Sequence, residues 1–94
     1  MSGGVIAGSR VKFVQPMYPL KAKVDHKAGA VLLHAIINRD GSIGELIPIA
    51  VSDPVFTDAA IDAVRQWKYS PYLLNGEPTE VDTTITINFS MTHN

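Results

Sequence analysis

The sequence contains no cysteine among its 94 residues, which excludes a disulfide framework and any metal site built from thiolates. No apolar run approaches the roughly 20 residues that a membrane helix needs, and Met1 to Gly8 lacks the charged and apolar regions of a signal peptide. The formal net charge is only −1, far from the basic balance typical of nucleic-acid binders. What remains is one small domain, since a hydrophobic content of 46% suffices for one modest core.

The charged residues are few and unevenly distributed along the chain. The first 29 residues carry five basic side chains and one acidic side chain, whereas the remainder carries three basic and eight acidic ones. We interpret the basic N-terminal part as the solvated face of a strand and a helix, with a docking patch as the alternative.

The most regular pattern is the alternation from Val81 to Met91. A period of two residues predicts a strand with one buried face and one wet face. The strand has no Pro, Lys or Arg to discourage pairing, and no later segment could pair with it, so we predict an open sheet edge where another chain could bind. The predicted buried face consists of Val81, Thr83, Ile85, Ile87, Phe89 and Met91.

The segments before the last strand predict two strands and a helix. Pro19 to Lys27 is predicted to form a two-turn helix, with Gly29 as its left-handed C-terminal cap. The apolar run Ala30 to Asn38 is typical of a central strand. A tight Asp40-Gly41 turn leads into a second strand, Ile43 to Ser52. Pro48 cannot donate to a ladder, so this second strand is expected at a sheet edge or with a bulge.

A second helix is predicted to begin at Thr57 as its cap, with a turn from Leu74 to Pro78 before the last strand. A right-handed crossover through this helix makes the second and last strands parallel. The predicted fold is therefore α+β: a three-stranded mixed sheet in the order second, first, third, packed against two helices. Residues Arg10 to Gln15 add a short N-terminal strand. The apolar stripe of the second helix is formed by Ala60, Ile61, Val64 and Trp67.

No arrangement of residues predicts catalysis, a metal or a cofactor. Asp58 and Asp62 lie four residues apart, as a general acid/base pair could. We interpret Asp58 as interacting with the helix dipole, and Asp62 as a contact for Arg65 or Gln66. Trp67 is interpreted as a core residue, although with Tyr69 and Tyr72 it could form a binding platform. The three histidines lack any metal-ligand spacing: His26, His34 and His93.

A series of motifs, in order along the chain, carries a family resemblance. The most specific is Trp67-x-Tyr69-x-Pro71 after an alanine-rich helix. The others are Gln15-Pro16-Met17-Tyr18-Pro19, Gly29-x-Val31, Asp40-Gly41, Ser52, Ala59-Ala60-Ile61-x-Ala63-Val64, Asn75-Gly76-x-Pro78 and Ile85-x-Ile87-x-Phe89. Together these residues, spanning four-fifths of the chain, resemble the C-terminal domain of the TonB energy-transducer family.

This resemblance implies a periplasmic, non-enzymatic domain. The N-terminal membrane helix and proline-rich spacer of such proteins would anchor it in the inner membrane. Such domains bind outer-membrane TonB-dependent receptors by adding the receptor's TonB box to their last strand, and they transmit force from inner-membrane motor proteins. Lys21 would meet receptor acids. The full set of partner-binding residues that the resemblance implies is Gln15, Pro16, Tyr18, Lys21, Val81, Thr83, Thr84, Ile85, Thr86, Ile87, Asn88 and Phe89.

The resemblance also sets the expected domain limits. Residues 1–14 would form a flexible segment with the short strand, residues 15–91 the TonB-like domain, and residues 92–94 a tail. Two other classes of function stay open. A homodimerising scaffold would use the same open edge, since members of this family exchange strands. A small hydrolase would need a clustered acid/base pair.

Overall fold

The computed structural model describes residues 10–90; Met91, His93, the 92–94 tail and residues 1–9 lie outside the described residues. Two helices and seven strands form within this range. They are β1 (Arg10–Lys12), α1 (Leu20–Val24), β2 (Gly29–Ile37), β3 (Ile43–Val51), α2 (Thr57–Val64, after a 3₁₀ turn at Pro54–Phe56), β4 (Lys68–Tyr69), β5 (Tyr72–Leu74), β6 (Glu77–Thr79) and β7 (Val81–Phe89).

The main sheet has the order β3-β2-β7, and β2 is antiparallel to both neighbours. The predicted order and fold class are therefore confirmed. The β2–β7 register runs unbroken from Gly29↔Phe89 to Ile37↔Val81. By contrast, the β2–β3 register shifts twice, and one shift falls next to Pro48. Pro48 thus lies on an edge strand and beside a bulge, because neither position requires an N–H donor from it.

One face of this sheet and the two helices enclose the core. Phe56, fully buried, lies at its centre and stacks on Phe89 at 4.6 Å between ring centroids. Trp67 is buried against the same cluster, as predicted for a core residue. The alternate residues of β2 and β7 supply the sheet side of the core: Val31, Leu33, Ala35, Ile37, Val81, Ile85, Ile87 and Phe89.

The end of α1 differs from the prediction. The helix stops at Val24, and His26, rather than Gly29, adopts the left-handed conformation with φ 54°. The His26 N–H donates to the Lys23 carbonyl at 3.2 Å, and the Lys27 N–H donates to the Ala22 carbonyl at 2.8 Å. This pair of bonds is a Schellman motif, which satisfies the carbonyls at the helix end.

The start of α2 also differs from the prediction. Thr57 lies inside the helix, and the cap belongs to Asp53, whose carboxylate accepts the Val55 N–H at 3.0 Å. A 3₁₀ turn separates this cap from the α-helix, so the first exposed donors occur several residues before Thr57. The hydrogen bond from Val55, with help from Lys27, lowers the pKa of Asp53. Asp53 therefore keeps its charge to a lower pH than an ordinary aspartate does.

Two small two-stranded sheets complete the fold. The predicted N-terminal strand forms at β1, but it pairs antiparallel with β4 rather than with the main sheet. The predicted turn before the last strand is the loop of the β5–β6 hairpin. Its central residues, Asn75 and Gly76, have φ values of 54° and 83°, which are the signs that a type I′ turn requires.

Candidate docking edge

β7 is the outer strand of the main sheet, and no strand among residues 10–90 pairs with its other side. Its side chains alternate as predicted: Asp82, Thr84, Thr86 and Asn88 are exposed, while all intervening residues but the half-buried Thr83 are buried. The described part of the strand therefore has one wet face and one open main-chain edge. Such an edge can accept a further strand.

The hydrogen bonds of Ala30 show which residues of β7 offer their main chain to that edge. The Ala30 N–H donates to Ser52 Oγ at 2.9 Å, and its carbonyl accepts the Ser52 N–H at 3.1 Å. Both groups of Ala30 thus point towards β3. Its partner on β7 is Asn88, and the pair is of the non-hydrogen-bonded kind, so the main chain of Asn88 points outwards. By the same alternation, the main-chain groups of Asp82, Thr84 and Thr86 point outwards as well.

A groove of about 570 Å³ lies beside the C-terminal half of β7. We call it the edge groove. One wall is the end of β7, and the other is the N-terminal strap, which we define as residues 10–18. The lining residues are Arg10, Phe13, Gln15, Pro16, Tyr18, Trp67, Thr86, Ile87, Asn88, Phe89 and Ser90.

Aromatic side chains fix the strap in place. The Trp67 Nε1–H donates to the Val14 carbonyl at 2.8 Å, and the Phe13 ring lies 5.1 Å from the Trp67 ring. The Arg10 guanidinium lies 4.4 Å from the Phe13 centroid and 4.5 Å from that of Trp67. Further along, the Tyr18 ring meets Phe89 edge-on at 5.8 Å. The strap is therefore attached to both the core and β7.

The structure brings together part of the residue set implied by the resemblance. Gln15, Pro16 and Tyr18 lie across the edge groove from Thr86 to Phe89. The first half of the strand, from Val81 to Ile85, continues the same open edge beyond the groove. Lys21 does not line the groove; it lies exposed on α1.

Sequence reasoning missed four residues of the groove: Arg10, Phe13, Trp67 and Ser90, which directly follows the expected set. Arg10 was visible only as one member of the basic N-terminal cluster, and Trp67 as a core residue. Trp67 is indeed buried, yet one part of its ring also faces the groove. No spacing rule links Phe13 to a residue 54 positions later, so their contact depends on the β1–β4 pairing.

The lining of the edge groove has the character of a surface for contacts and not of a catalytic centre. Arg10 is the sole charged residue of its lining, and the rest is aromatic, aliphatic, amide or hydroxyl. The resolved pKa shifts belong to groups elsewhere: Ser42 lowers the pKa of Asp40 by hydrogen bonding, and burial raises the pKa of Tyr69. Across residues 10–90 there is no group of three His, Asp or Glu side chains that could hold a metal ion. In the same range no helix has the length and apolar character to cross a membrane.

The comparisons with known proteins agree with this geometry. Residues 14–91 match the family model described as "Gram-negative bacterial TonB protein C-terminal". The protein TonB of Vibrio cholerae serotype O1 is 29% identical over 79 residues, which is 83% of this chain and 32% of that protein. The chain thus spans about a third of the length of this curated relative.

Two solved structures have the same fold. The solution NMR structure of the Pseudomonas aeruginosa TonB C-terminal domain superimposes with a TM-score of 0.79, at 20% identity, over 92% of this chain and 88% of that chain. The tonb2 protein from Vibrio anguillarum gives a TM-score of 0.70 at 24% identity, over 99% and 90% of the two chains. With the family match covering most of its length, the chain belongs to the TonB C-terminal family.

Proposed function

We propose that this domain is the periplasmic, receptor-binding part of an energy transducer anchored in the inner membrane. It captures the TonB box, a short extended segment of an outer-membrane TonB-dependent receptor, by adding that segment to β7. Force from inner-membrane motor proteins then reaches the receptor through the pairing. The domain itself performs no catalysis and needs no cofactor. The observation that carries this proposal is the unpaired edge of β7 beside the edge groove.

The outward main chain of β7 supplies the affinity in this proposal. Thr84, Thr86 and Asn88 each offer one N–H and one carbonyl group to an incoming strand. A net gain of about 1 kcal/mol per hydrogen bond, reduced by the cost of ordering the peptide, gives weak and reversible binding. Reversibility suits a transducer that must release its receptor after each transport event.

The strap supplies the second wall of the site. Gln15 and Pro16 lie across the groove from Thr86 and Asn88, so a strand added to β7 passes between the sheet and the strap. Side chains of that strand can then contact Phe13 and the Arg10 guanidinium. Edge pairing alone gives little sequence preference, and these side-chain contacts add it.

The test is a titration of isotope-labelled protein with synthetic TonB-box peptides, followed by backbone amide shifts. We expect shifts at Gln15 and along β7, largest for the outward amides of Thr84, Thr86 and Asn88. If all peptides leave these amides unmoved while the protein stays folded and monomeric, the proposal is wrong.

A pair of variants at Thr86 separates main-chain pairing from other contacts. Thr86→Pro removes an outward N–H without touching the bonds to β2, so we expect peptide binding to weaken at least about tenfold. Thr86→Val keeps the N–H and the branched shape, and we expect near-normal binding. Equal affinities for the two variants, both with native amide spectra, would rule out strand addition at this point of the edge.

A further inference from the structure

A second groove lies on the other side of the strap and shares Gln15 and Tyr18 with the edge groove. It has a volume of about 680 Å³ and lies between the strap and α1 on one side and α2 on the other. We call it the helix groove. Its residues are Val14, Gln15, Met17, Tyr18, Pro19, Leu20, Lys23, Val55, Asp58, Ala59, Asp62, Ala63 and Gln66. No residue of β7 takes part.

The first wall of the helix groove is apolar and basic. Met17 is 81% exposed and Leu20 is 75% exposed, the two highest values among the large apolar side chains of residues 10–90. Lys23 follows Leu20 by three residues, so both lie on one face of α1. This wall therefore projects two apolar side chains and one ammonium group into solvent.

The second wall is shallow and acidic. Ala59, half-buried, and Ala63, buried, lie one turn apart on α2 and line the groove floor, where their small side chains leave a shallow hollow. Asp58 and Asp62 form the neighbouring row, also one turn apart and both exposed. Neither carboxylate takes part in an ion pair within residues 10–90, and neither does Lys23.

The two walls are complementary in charge and in shape. A two-fold axis that runs along the groove places the basic wall of one copy against the acidic wall of a second copy. Rotation by 180° about such an axis turns the second copy over and exchanges left for right. The projecting basic wall of each copy then faces the hollow acidic wall of the other. An interface of this kind is isologous, since the same patch is used twice.

We propose that this chain self-associates through the helix groove as a weak symmetric dimer. Met17 and Leu20 of one copy pack into the shallow hollow beside Ala59 of the other, and each Lys23 faces the partner's carboxylates. The occupant of the groove is thus a second copy of the chain, selected by charge and by shape. The apolar part of the contact is limited to two projecting side chains from each copy, so we expect association to be weak and transient.

This dimer differs from one formed through the sheet edge. A dimer through β7 would cover the outward main chain and compete with a bound segment. A dimer through the helix groove leaves both β7 edges unpaired, so two extended segments could bind at once. The proposal therefore does not depend on the function proposed above.

The test is sedimentation velocity of the folded protein from about 20 μM to about 1 mM, with charge-reversal variants. The wild-type chain is expected to show a rise in mass with concentration. Lys23→Glu is expected to weaken self-association at least about tenfold, because the reversed charge meets two carboxylates at each of two symmetric contacts. The variant Asp58→Lys/Asp62→Lys is expected to do the same. Lys21→Glu, on the same helix but outside the groove, is the matched control and should associate like the wild type.

Mixing the two reversed variants gives the decisive result. In a mixed dimer Glu replaces Lys23 in one copy and Lys replaces the carboxylates in the other, so both contacts become attractive again. We expect the mixture to associate at concentrations where neither variant does alone. The proposal is overturned if the wild-type chain does not associate or if the mixture forms no mixed dimer. It is also overturned if Thr86→Pro loses association while Lys23→Glu keeps it. Native amide spectra of all variants exclude unfolding as the cause.

Discussion

Gly29 shows how one residue joins three elements. A Cβ built on Gly29 would lie 2.2 Å from Ser52 Oγ and 2.9 Å from the Phe56 ring. Ser52 in turn accepts the Ala30 N–H, and Phe56 stacks on Phe89 of β7. The absence of a side chain at position 29 thus lets β2, β3 and the turn before α2 approach closely.

We expect Gly29→Ala to lower the free energy of unfolding by about 1–3 kcal/mol, because the new methyl group overpacks this contact. Chemical denaturation with an unchanged m-value is the measurement. Ser52→Ala is the companion variant. The double variant should lose less than the sum of the two singles, since removal of Oγ relieves the shorter of the two clashes. Strict additivity would contradict the contact as described.

Capping residues mark the limit of sequence reasoning at this scale. Both helices could be recognised, since Pro19 and the stripe ending at Trp67 are local signals. Thr57 and Gly29 looked like caps because their residue types are typical of caps. The structure uses Asp53 and His26 instead. Asp53-Pro54 is itself a local signal for a helix start, whereas the close approach at Gly29 depends on Ser52 and Phe56, which are distant in sequence.

The strap is the element that turns an open sheet edge into a groove. β1 has only three residues, all exposed, and its register with β4 is irregular. The Trp67–Val14 hydrogen bond and the stacking of Phe13 and Arg10 on Trp67 therefore carry much of its attachment. An element held by so few contacts should open locally before the domain unfolds.

We expect Trp67→Phe to release the strap while leaving the domain folded. The loss of one hydrogen bond should cost about 1 kcal/mol of global stability, and the smaller ring should add to that loss. Hydrogen exchange is the measurement: amides from Val11 to Val14 should exchange faster by a larger factor than those of β2. Tyr72→Phe, a change at another aromatic residue, serves as control. Uniform acceleration of all amides would show that the strap does not open on its own.

Two carboxylates contribute to the acid dependence of the stability of the whole molecule. Hydrogen bonds lower the pKa of Asp40 in the β2–β3 turn and of Asp53 before α2. A carboxyl whose pKa is lower in the folded state binds fewer protons there than in the unfolded chain. Its stabilising contribution is present above the unfolded pKa, about 3.9, and is lost as the pH falls through the folded pKa.

We therefore expect the melting temperature to fall as the pH is lowered from about 5 to about 2. Asp53→Asn keeps a side-chain oxygen for the Val55 N–H but removes the titration, so it should flatten part of this dependence. Asp40→Asn should flatten another part, and the double variant the most. Calorimetry across the pH series is the measurement, and an unchanged slope in the double variant would contradict the assignment.

At the scale of the whole molecule, the sheet order was predictable and the groove was not. The alternation of β7, the turn at Asp40-Gly41 and the chirality of crossovers leave few topologies. Pro48 then indicates which strand lies at a blunted edge. The edge groove, however, needs the strap to fold back onto Trp67, and a three-residue strand carries too little pattern to specify its partner.

The unbroken register between β2 and β7 has a mechanical consequence. Nine residue pairs follow one another without a bulge, whereas the opposite edge is interrupted twice. Tension applied along the axis of β7 loads all rungs of this ladder in shear, so they share it and must break together. Tension applied across the strand peels the rungs away one at a time. A segment paired with β7 and pulled along the strand axis would therefore load the continuous β2–β7 ladder in shear, where resistance is greatest. A pull across the strand would instead separate the hydrogen bonds one after another at a lower force.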